Sequence, residues 1–169
     1  MKRCGWLLFI PALLSLSCGY RLAGRGNNLP PGAATIAIPA FKNQTARAQA
    51  EQFVTFAVRE EFIRRSRLRL VEGWDQADLL LEGTITAFKV TPLSYSEAGA
   101  ANLYEVRLTL DVRLVDMRSS ELAYQGNGLS FQETYDTDSA DFFSQESGSL
   151  DRVASKFAAS IVTSILENF

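Results

Sequence analysis

Residues 104–114 read YEVRLTLDVRL, and the alternation within this stretch decides the fold class. Every second side chain is apolar, namely Tyr104, Val106, Leu108, Leu110, Val112 and Leu114. The residues between them are Glu105, Arg107, Thr109, Asp111 and Arg113. Because successive side chains of a strand point to opposite faces of a sheet, the stretch predicts a long strand with one face in a core and the other in a polar environment.

Six further elements are predicted around this strand. Short apolar or alternating runs predict four more strands, over 33–41, 68–70, 79–90 and 122–135. On the third strand of the chain, one face is expected to carry Leu81, Gly83, Ile85 and Ala87. Helical spacing predicts a helix over 44–65, with Asn43 or Thr45 available as its cap, and a terminal helix that begins as early as Ser139.

Two amphipathic helices and a sheet with one apolar face can bury one another. We therefore predict an α+β fold, a two-layer sandwich with two helices packed on one face of a mixed sheet of four to five strands. Residues 33–169 are expected to form this single domain. The preceding segment 18–32 is rich in glycine and contains Pro30-Pro31, which is typical of a linker.

The composition excludes most enzyme chemistry. Among 169 residues there is no histidine, so neither the common general base nor imidazole metal sites are available. The two cysteines stand at Cys4 and Cys18, which leaves no disulfide or thiolate metal site once an N-terminal signal is removed. The formal net charge of −2 disfavours nucleic acid as a partner. We expect neither an enzyme nor a bound cofactor or metal.

The N-terminus has the pattern of an export signal. Lys2 and Arg3 precede an apolar run that is too short to span a bilayer, and Ser15 and Ser17 supply the small residues that a signal peptidase requires before Cys18. We predict that residues 1–17 are a signal peptide. A cysteine at the first mature position resembles the bacterial lipoprotein signal, which implies diacylglycerol on the thiol and an acyl chain on the new amine.

The lipoprotein signal departs from the usual pattern at one position. Its leucine normally stands three residues before the cysteine, where this chain has Ser15, and Leu16 follows one position later. Two or three acyl chains would still anchor the protein firmly without a transmembrane helix. By resemblance to sorted lipoproteins, Gly19 after the cysteine favours the outer membrane.

A basic cluster is the strongest candidate for anion binding. It lies at the end of the first helix and the start of the next strand, and consists of Arg59, Arg64, Arg65, Arg67 and Arg69, of which the last four are the candidates. Guanidinium groups bind phosphates in bidentate geometry. The alternative is structural, because cations stabilise a helix C-terminus and exposed edge strands often carry charge.

Four segments, in order, resemble the LptE family of lipopolysaccharide-assembly lipoproteins. They are Cys18–Leu22 (CGYRL), Ile36–Thr45 (IAIPAFKNQT), Ala77–Gly83 (ADLLLEG) and Tyr104–Val106 (YEV). The resemblance implies a partner of the outer-membrane β-barrel LptD that plugs the barrel, assists its assembly and takes part in lipopolysaccharide transport to the outer leaflet. It would be anchored in the outer membrane on the periplasmic side.

The resemblance suggests two sets of site residues. A barrel lumen is polar, so Glu105, Arg107, Thr109, Asp111 and Arg113 are a candidate barrel-contact face. The family's lipopolysaccharide binding is attributed to basic loop residues, but the segments 92–102 and 136–149 contain no Lys or Arg. The arginines from Arg64 to Arg69 are the remaining candidates for that role.

A different kind of lipoprotein is the alternative. An activator of a cell-wall synthase, or a secretion-pore lipoprotein, can also combine a lipidated cysteine with a small α/β domain. An activator needs a long spacer to reach across the periplasm. The linker 18–32 is short, which favours a domain held close to the membrane.

Overall fold

The computed structural model describes residues 29–97, 99–136 and 146–167. These residues form six strands and two α-helices. The strands are β1 (Thr35–Ala37), β2 (Lys42–Asn43), β3 (Arg69–Val71), β4 (Leu79–Tyr95), β5 (Ala101–Asp116) and β6 (Glu121–Asp136). The helices are α1 (Ala50–Arg65) and α2 (Glu146–Glu167), and a single 3-10 turn at Trp74–Gln76 joins β3 to β4.

The strands form one mixed sheet in the order β3-β1-β4-β5-β6. β1 is parallel to both β3 and β4, and β2 pairs in parallel with β4 farther along the same strand. β4, β5 and β6 form an antiparallel meander. The predicted α+β sandwich is confirmed, with the two-residue β2 as a sixth strand in the sheet.

Both helices cover the same face of the sheet. Phe62 of α1 and Phe157 and Ile161 of α2 are fully buried in one cluster with Leu108 and Leu110 of β5. Burying a side chain of this size stabilises the fold by about 1.5–3 kcal/mol. The alternation that the sequence predicts for β5 is therefore observed, with its apolar face under the helices.

In the middle of β4, the side chains that point toward the helices change from odd-numbered to even-numbered positions. Ile85 pairs with Leu110 and Ala87 pairs with Thr109, so Thr86 is an extra residue in a β-bulge. Before the bulge Leu79, Leu81 and Ile85 are buried, and after it Phe88 and Val90 pack against the core. The prediction that Ala87 shares the buried face of Ile85 is wrong, because one inserted residue moves every later side chain to the opposite face.

A second bulge lies across β5 at nearly the same level. The pairing of β6 shifts between Gly126, opposite Val112, and Leu129, opposite Leu110. Gly128 has a positive φ of 61°, and its N–H donates to Asp111 Oδ1 at 2.7 Å. Bulges therefore flank β5 on both sides and keep the apolar side chains of β4 and β6 in step with those of β5.

The first predicted strand and helix are both shorter in the structure. The strand expected over 33–41 stops at Ala37 and pairing resumes at Lys42, with Pro39, which has no N–H for the ladder, between them. Asn43 Oδ1 accepts from the N–H and the hydroxyl of Thr45, at 2.9 and 2.7 Å. This turn uses both proposed caps, and α1 begins only at Ala50.

The remaining boundaries lie close to prediction. β4, β5 and β6 each extend beyond the stretch that the sequence predicts, and β3 begins at Arg69. α2 begins at Glu146 in the described residues, and the earlier start at Ser139 lies outside them.

Gly83 offers a test of core packing. A Cβ at this position would stand 2.5 Å from Cδ2 of Phe41, which is itself buried. Overpacking of this kind costs about 1–3 kcal/mol. We expect Gly83→Ala to lower the free energy of unfolding by that amount in urea titrations. Thr84→Ala, one residue along and on the other face, should change it by less than about 0.5 kcal/mol; equal effects would contradict the packing described.

Candidate functional site: the open face of the sheet

The second face of the meander carries neither helix. The polar residues predicted from the β5 alternation, Glu105, Arg107, Thr109, Asp111 and Arg113, lie together on it, because their chain neighbours Val106 to Leu114 occupy the helix-covered face. Register places further polar residues beside them, Glu82, Thr84 and Lys89 on β4 and Gln125, Ser130, Gln132 and Thr134 on β6. We call these residues together the open face.

Hydrogen bonds and ion pairs link the strands across the open face. Arg107 Nη2 donates to Glu105 Oε1 at 3.0 Å and to Gln132 Oε1 at 3.2 Å, and Arg113 Nη2 lies 3.7 Å from Glu82 Oε2. The Arg107 and Arg113 side chains are still 49% and 57% exposed. Donors and acceptors on this surface are thus positioned by their neighbours and remain accessible to a partner.

Asp111 also has a structural role. Its carboxylate holds the β6 bulge through the N–H of Gly128, so it is half-buried and already bonded. The sequence pattern alone could not reveal this, because the bond joins residues 17 positions apart. Of the five predicted residues, Asp111 is the one whose replacement would disturb the sheet itself.

The arginine candidates do not converge on one point. Arg64 makes a bidentate pair with Glu61, with Nε 2.9 Å from Oε2 and Nη2 2.6 Å from Oε1, and this carboxylate raises the pKa of the guanidinium. Arg65 bridges to α2, where it donates to Thr163 and lies 3.5 Å from Glu167. Arg67 and Arg69 are exposed at the β3 edge of the sheet.

A feature that the sequence reasoning missed is the role of Asp78. Its Oδ2 accepts from the N–H groups of Ala34 and Thr35, at 2.7 and 2.9 Å, and its own N–H donates to Thr35 Oγ1. These bonds lower the pKa of the carboxyl, those from Ala34 and Thr35 most of all. Asp78 therefore fastens the start of β1 to the start of β4. Its only sequence signal was its place in the ADLLLEG segment.

Arg118, in the turn between β5 and β6, fastens the same end of the sheet. Its guanidinium donates to both oxygens of the buried Asp116, at 2.9 and 2.6 Å, and to the carbonyl of Pro31 at 3.2 Å. The bonds from Arg118 hold the pKa of Asp116 below its ordinary value. We call this end of the sheet, with residues 29–35, 77–79 and 116–122, the entry end, because the described chain begins there.

Neither a membrane span nor a metal cluster is found in the described residues. No helix among them is long and apolar enough to cross a membrane, and no group of three potential ligand side chains could hold a metal ion. Cys18, the predicted lipid attachment site, lies outside the residues that the structure describes, so its acylation remains a prediction.

The Asp78 bonds predict a pH dependence of stability. The folded-state pKa lies below that of the unfolded chain, so the contribution is complete above the ordinary carboxyl range near 4 and is lost as pH falls through the folded-state value. We expect Asp78→Asn to lower the urea midpoint at pH 7 and the difference from the parent protein to shrink below about pH 4. The exposed Asp75→Asn is the control; an equal loss at both sites would contradict the bonded role of Asp78.

Several solved structures have a similar fold. The fold resembles that of PelC from Paraburkholderia phytofirmans, a dodecamer, with a TM-score of 0.53, 13% identity and coverage of 79% of this chain and 88% of that one. A hypothetical protein from Chlamydia trachomatis has a TM-score of 0.52 and 9% identity, over 81% and 99% of the two chains. A protein from Xanthomonas campestris has a TM-score of 0.52 and 11% identity, over 82% and 89%.

At these identities the similarity concerns the fold alone. No curated protein sequence matches the chain significantly. The LptE family model, described as lipopolysaccharide-assembly, matches residues 33–165, which cover the whole sheet and nearly all of α2. The chain therefore belongs to the LptE family of lipopolysaccharide-assembly proteins.

Proposed function

We propose that this protein is an outer-membrane lipoprotein, acylated at Cys18, that plugs the LptD β-barrel, assists its assembly and takes part in delivering lipopolysaccharide to the outer leaflet. It acts by surface complementarity and not by catalysis. The family match supports the role in lipopolysaccharide assembly. The barrel partner and the outer-membrane location extend the proposal beyond the family match.

The open face is the observation that carries the proposal. A soluble two-layer sandwich needs only one face of its sheet buried, and this one presents a second face on which both charge signs and neutral donors and acceptors alternate. The inner wall of an outer-membrane barrel is also polar. When a plug enters a barrel, its polar side chains lose contact with water and must find partners on the barrel wall. A surface that carries both charge signs and neutral donors and acceptors can do this without leaving buried charges unpaired.

The dimensions of the sheet are also suitable. β5 and β6 each contain 16 residues and β4 contains 17, so at about 3.3 Å per residue the meander is roughly 50 Å long. The apolar band of an outer-membrane barrel is only about 25 Å tall. The meander is therefore long enough to extend along the inside of the barrel from one end to the other.

Lipopolysaccharide contact is assigned to the exposed arginines. Arg64 is paired with Glu61, and Arg65 is bonded to α2. Arg67 and Arg69, just before and at the start of the edge strand β3, are exposed. A pair of guanidinium groups one strand repeat apart can meet the phosphates of a lipopolysaccharide headgroup. We propose these two as the phosphate-binding part of the original cluster.

The anchor can be tested separately from the plug. Because acylation requires the thiol, Cys18→Ala should leave the chain unprocessed or release it from the outer-membrane fraction, and mass spectrometry should find no diacylglycerol on the protein. Cys4→Ala, within the predicted signal, is the matched control and should fractionate like the parent protein. Unchanged membrane recovery of Cys18→Ala would refute acylation.

The barrel-contact face can be tested by charge reversal. Replacing two rim charges of an interface costs several kcal/mol when like charges then face each other. Arg107→Glu with Arg113→Glu should lower recovery of the protein with LptD after co-expression and detergent extraction, by about a hundredfold or more.

A charge-matched control lies at the far edge of the sheet. Arg67→Glu with Arg69→Glu should leave LptD recovery unchanged and should weaken binding to purified lipopolysaccharide. Normal barrel recovery with the open-face variant would count against the plug and would favour the other lipoprotein roles, synthase activation or a secretion pore. Unchanged lipopolysaccharide binding by the control would remove the arginines from the proposal.

A further inference from the structure

The two edges of the sheet differ in how they are protected. An unpaired strand edge can pair with another chain, and native proteins usually prevent this with short strands, lysines, prolines or bulges. The edge strand β3 is only Arg69–Val71, and Arg69 is exposed there. β6, at the opposite edge, has 16 residues without a lysine, arginine or proline. No strand among the described residues pairs with its outer side.

Bulges protect only the first half of β6. Its pairing with β5 is interrupted at Ala123 and again between Gly126 and Leu129. Over residues 129–134 the pairing with residues 105–110 is unbroken, so an extended chain can align with this stretch without a kink. We call residues 129–134 the β6 edge.

Two hydrogen bonds made by β4 show how the backbone groups of β5 are directed. The carbonyl of Ile85 accepts from the N–H of Gln44, so the backbone groups of Ile85 point toward β2 and away from β5. Bonded and non-bonded pairs alternate along an antiparallel ladder, so its partner Leu110 bonds to β6 instead. The carbonyl of Thr109 accepts from the Thr86 hydroxyl of β4 at 3.2 Å, which agrees with this alternation.

The same alternation continues into β6. Leu110 pairs with Leu129, whose backbone groups therefore face β5. The N–H and C=O groups of Ser130, Gln132 and Thr134 then point outward, about 7 Å apart along the strand. An extended chain presents complementary groups at the same spacing, so an added strand would satisfy all three positions.

The side chains of the β6 edge specify an alternating segment. Leu129 and Phe131 are half-buried and pack against the core on the helix-covered side. Ser130, Gln132 and Thr134 are exposed on the open face. A strand added in register would place apolar side chains beside Leu129 and Phe131, and polar ones on the open face.

Charges beside the β6 edge are balanced. A cleft of about 240 Å³ between the end of β6 and α2 is lined by Thr134, Tyr135, Asp136, Arg152, Val153 and Lys156. Lys156 Nζ lies 3.0 Å from Glu133 Oε2, and the Arg152 guanidinium lies 5.7 Å from the centroid of the Tyr135 ring. Two cations thus face the two carboxylates of Glu133 and Asp136, which favours an uncharged segment over a basic or acidic one.

We propose that the β6 edge binds an extended, uncharged loop segment of the barrel polypeptide, which adds to the sheet as a further strand. The inference rests on the proposed barrel partner and deepens it, because it assigns backbone contacts where the open face supplies side-chain contacts. Strands of a closed barrel wall are paired on both sides, so a loop folded into the lumen is the source of unpaired backbone groups. Ser130, Gln132 and Thr134 belong to both surfaces, which makes the two contacts continuous.

Hydrogen exchange of individual amides tests the strand addition. The full-length protein is measured alone and in the detergent-extracted complex with LptD. The N–H groups of Ser130, Gln132 and Thr134 should exchange at least about tenfold more slowly in the complex, because each then lies in a ladder. The N–H of Leu70 is the internal control. It points outward at the β3 edge, since the N–H of Arg69 donates to the Ala34 carbonyl, and its exchange should change far less.

Proline and alanine at one position separate the backbone from the side chain. Gln132→Pro removes an outward N–H, and an edge strand tolerates proline where no ladder bond is lost. Recovery of Gln132→Pro with LptD should be about tenfold lower than recovery of Gln132→Ala. Both variants lose the bond between Arg107 and the Gln132 side chain, so that loss cancels in the comparison. Circular dichroism checks that each variant is folded, and the exchange measurement needs neither variant.

Each other result counts against the inference. A complex that forms with unchanged exchange at the β6 edge, or with equal recovery of Gln132→Pro and Gln132→Ala, would overturn strand addition and leave the proposed plug intact. Failure of the parent protein to associate with LptD would overturn the proposed function, and this inference with it. Slow exchange at the β6 edge in the protein alone, increasing with its concentration, would identify a second copy as the occupant and overturn the assignment to the barrel.

Discussion

The structure depends on one constraint, that each long strand keeps a single apolar face in register with the helices wherever the helices cover the sheet. β5 satisfies it by strict alternation from Val106 to Leu114. Its neighbours satisfy it by inserting residues, at Thr86 in β4 and at Ala123 and beside Gly128 in β6. Each insertion changes the face of every later side chain, so these bulges are as important to the core as the apolar residues themselves.

The same constraint creates the candidate functional surface. Once the helices cover one face, the polar residues between the apolar ones must gather on the other, and the open face is the result. Its side chains are ordered by contacts such as Arg107 with Gln132 and remain exposed. At one end, Asp78 and Arg118 fix the strands and the entering chain together. The sheet therefore presents a polar face along its length, and its strands are fastened to the entering chain at one end.

The sequence was sufficient for the fold class because the strand and helix periodicities are strong in β5 and α2. It failed where one residue or one distant bond decides the structure. Thr86 has no feature that marks it as an extra residue, so Ala87 was assigned to the wrong face. Asn43 and Thr45 are good helix caps by type, yet they bond to each other in a turn before α1.

The site shows the same division. Alternation alone was enough to predict that five polar residues of β5 share a face. It could not predict that the Asp111 carboxylate accepts a hydrogen bond from the bulge in β6. The proximity of Arg64 to Arg69 in sequence suggested one anion site. Folding directs Arg64 to Glu61 and Arg65 to α2, because a buried carboxylate and a neighbouring helix are closer partners than solvent anions.

The most direct test of the central claim is the accessibility of the open face in the assembled complex. With Cys18 acylated, the mature chain has no other thiol, so Thr109→Cys and Glu60→Cys report on the open face and on the outer side of α1 respectively. Each is treated with a maleimide before and after assembly with LptD. The account predicts that assembly slows labelling of Thr109→Cys far more than labelling of Glu60→Cys. Undiminished labelling of Thr109→Cys in the purified complex would contradict it.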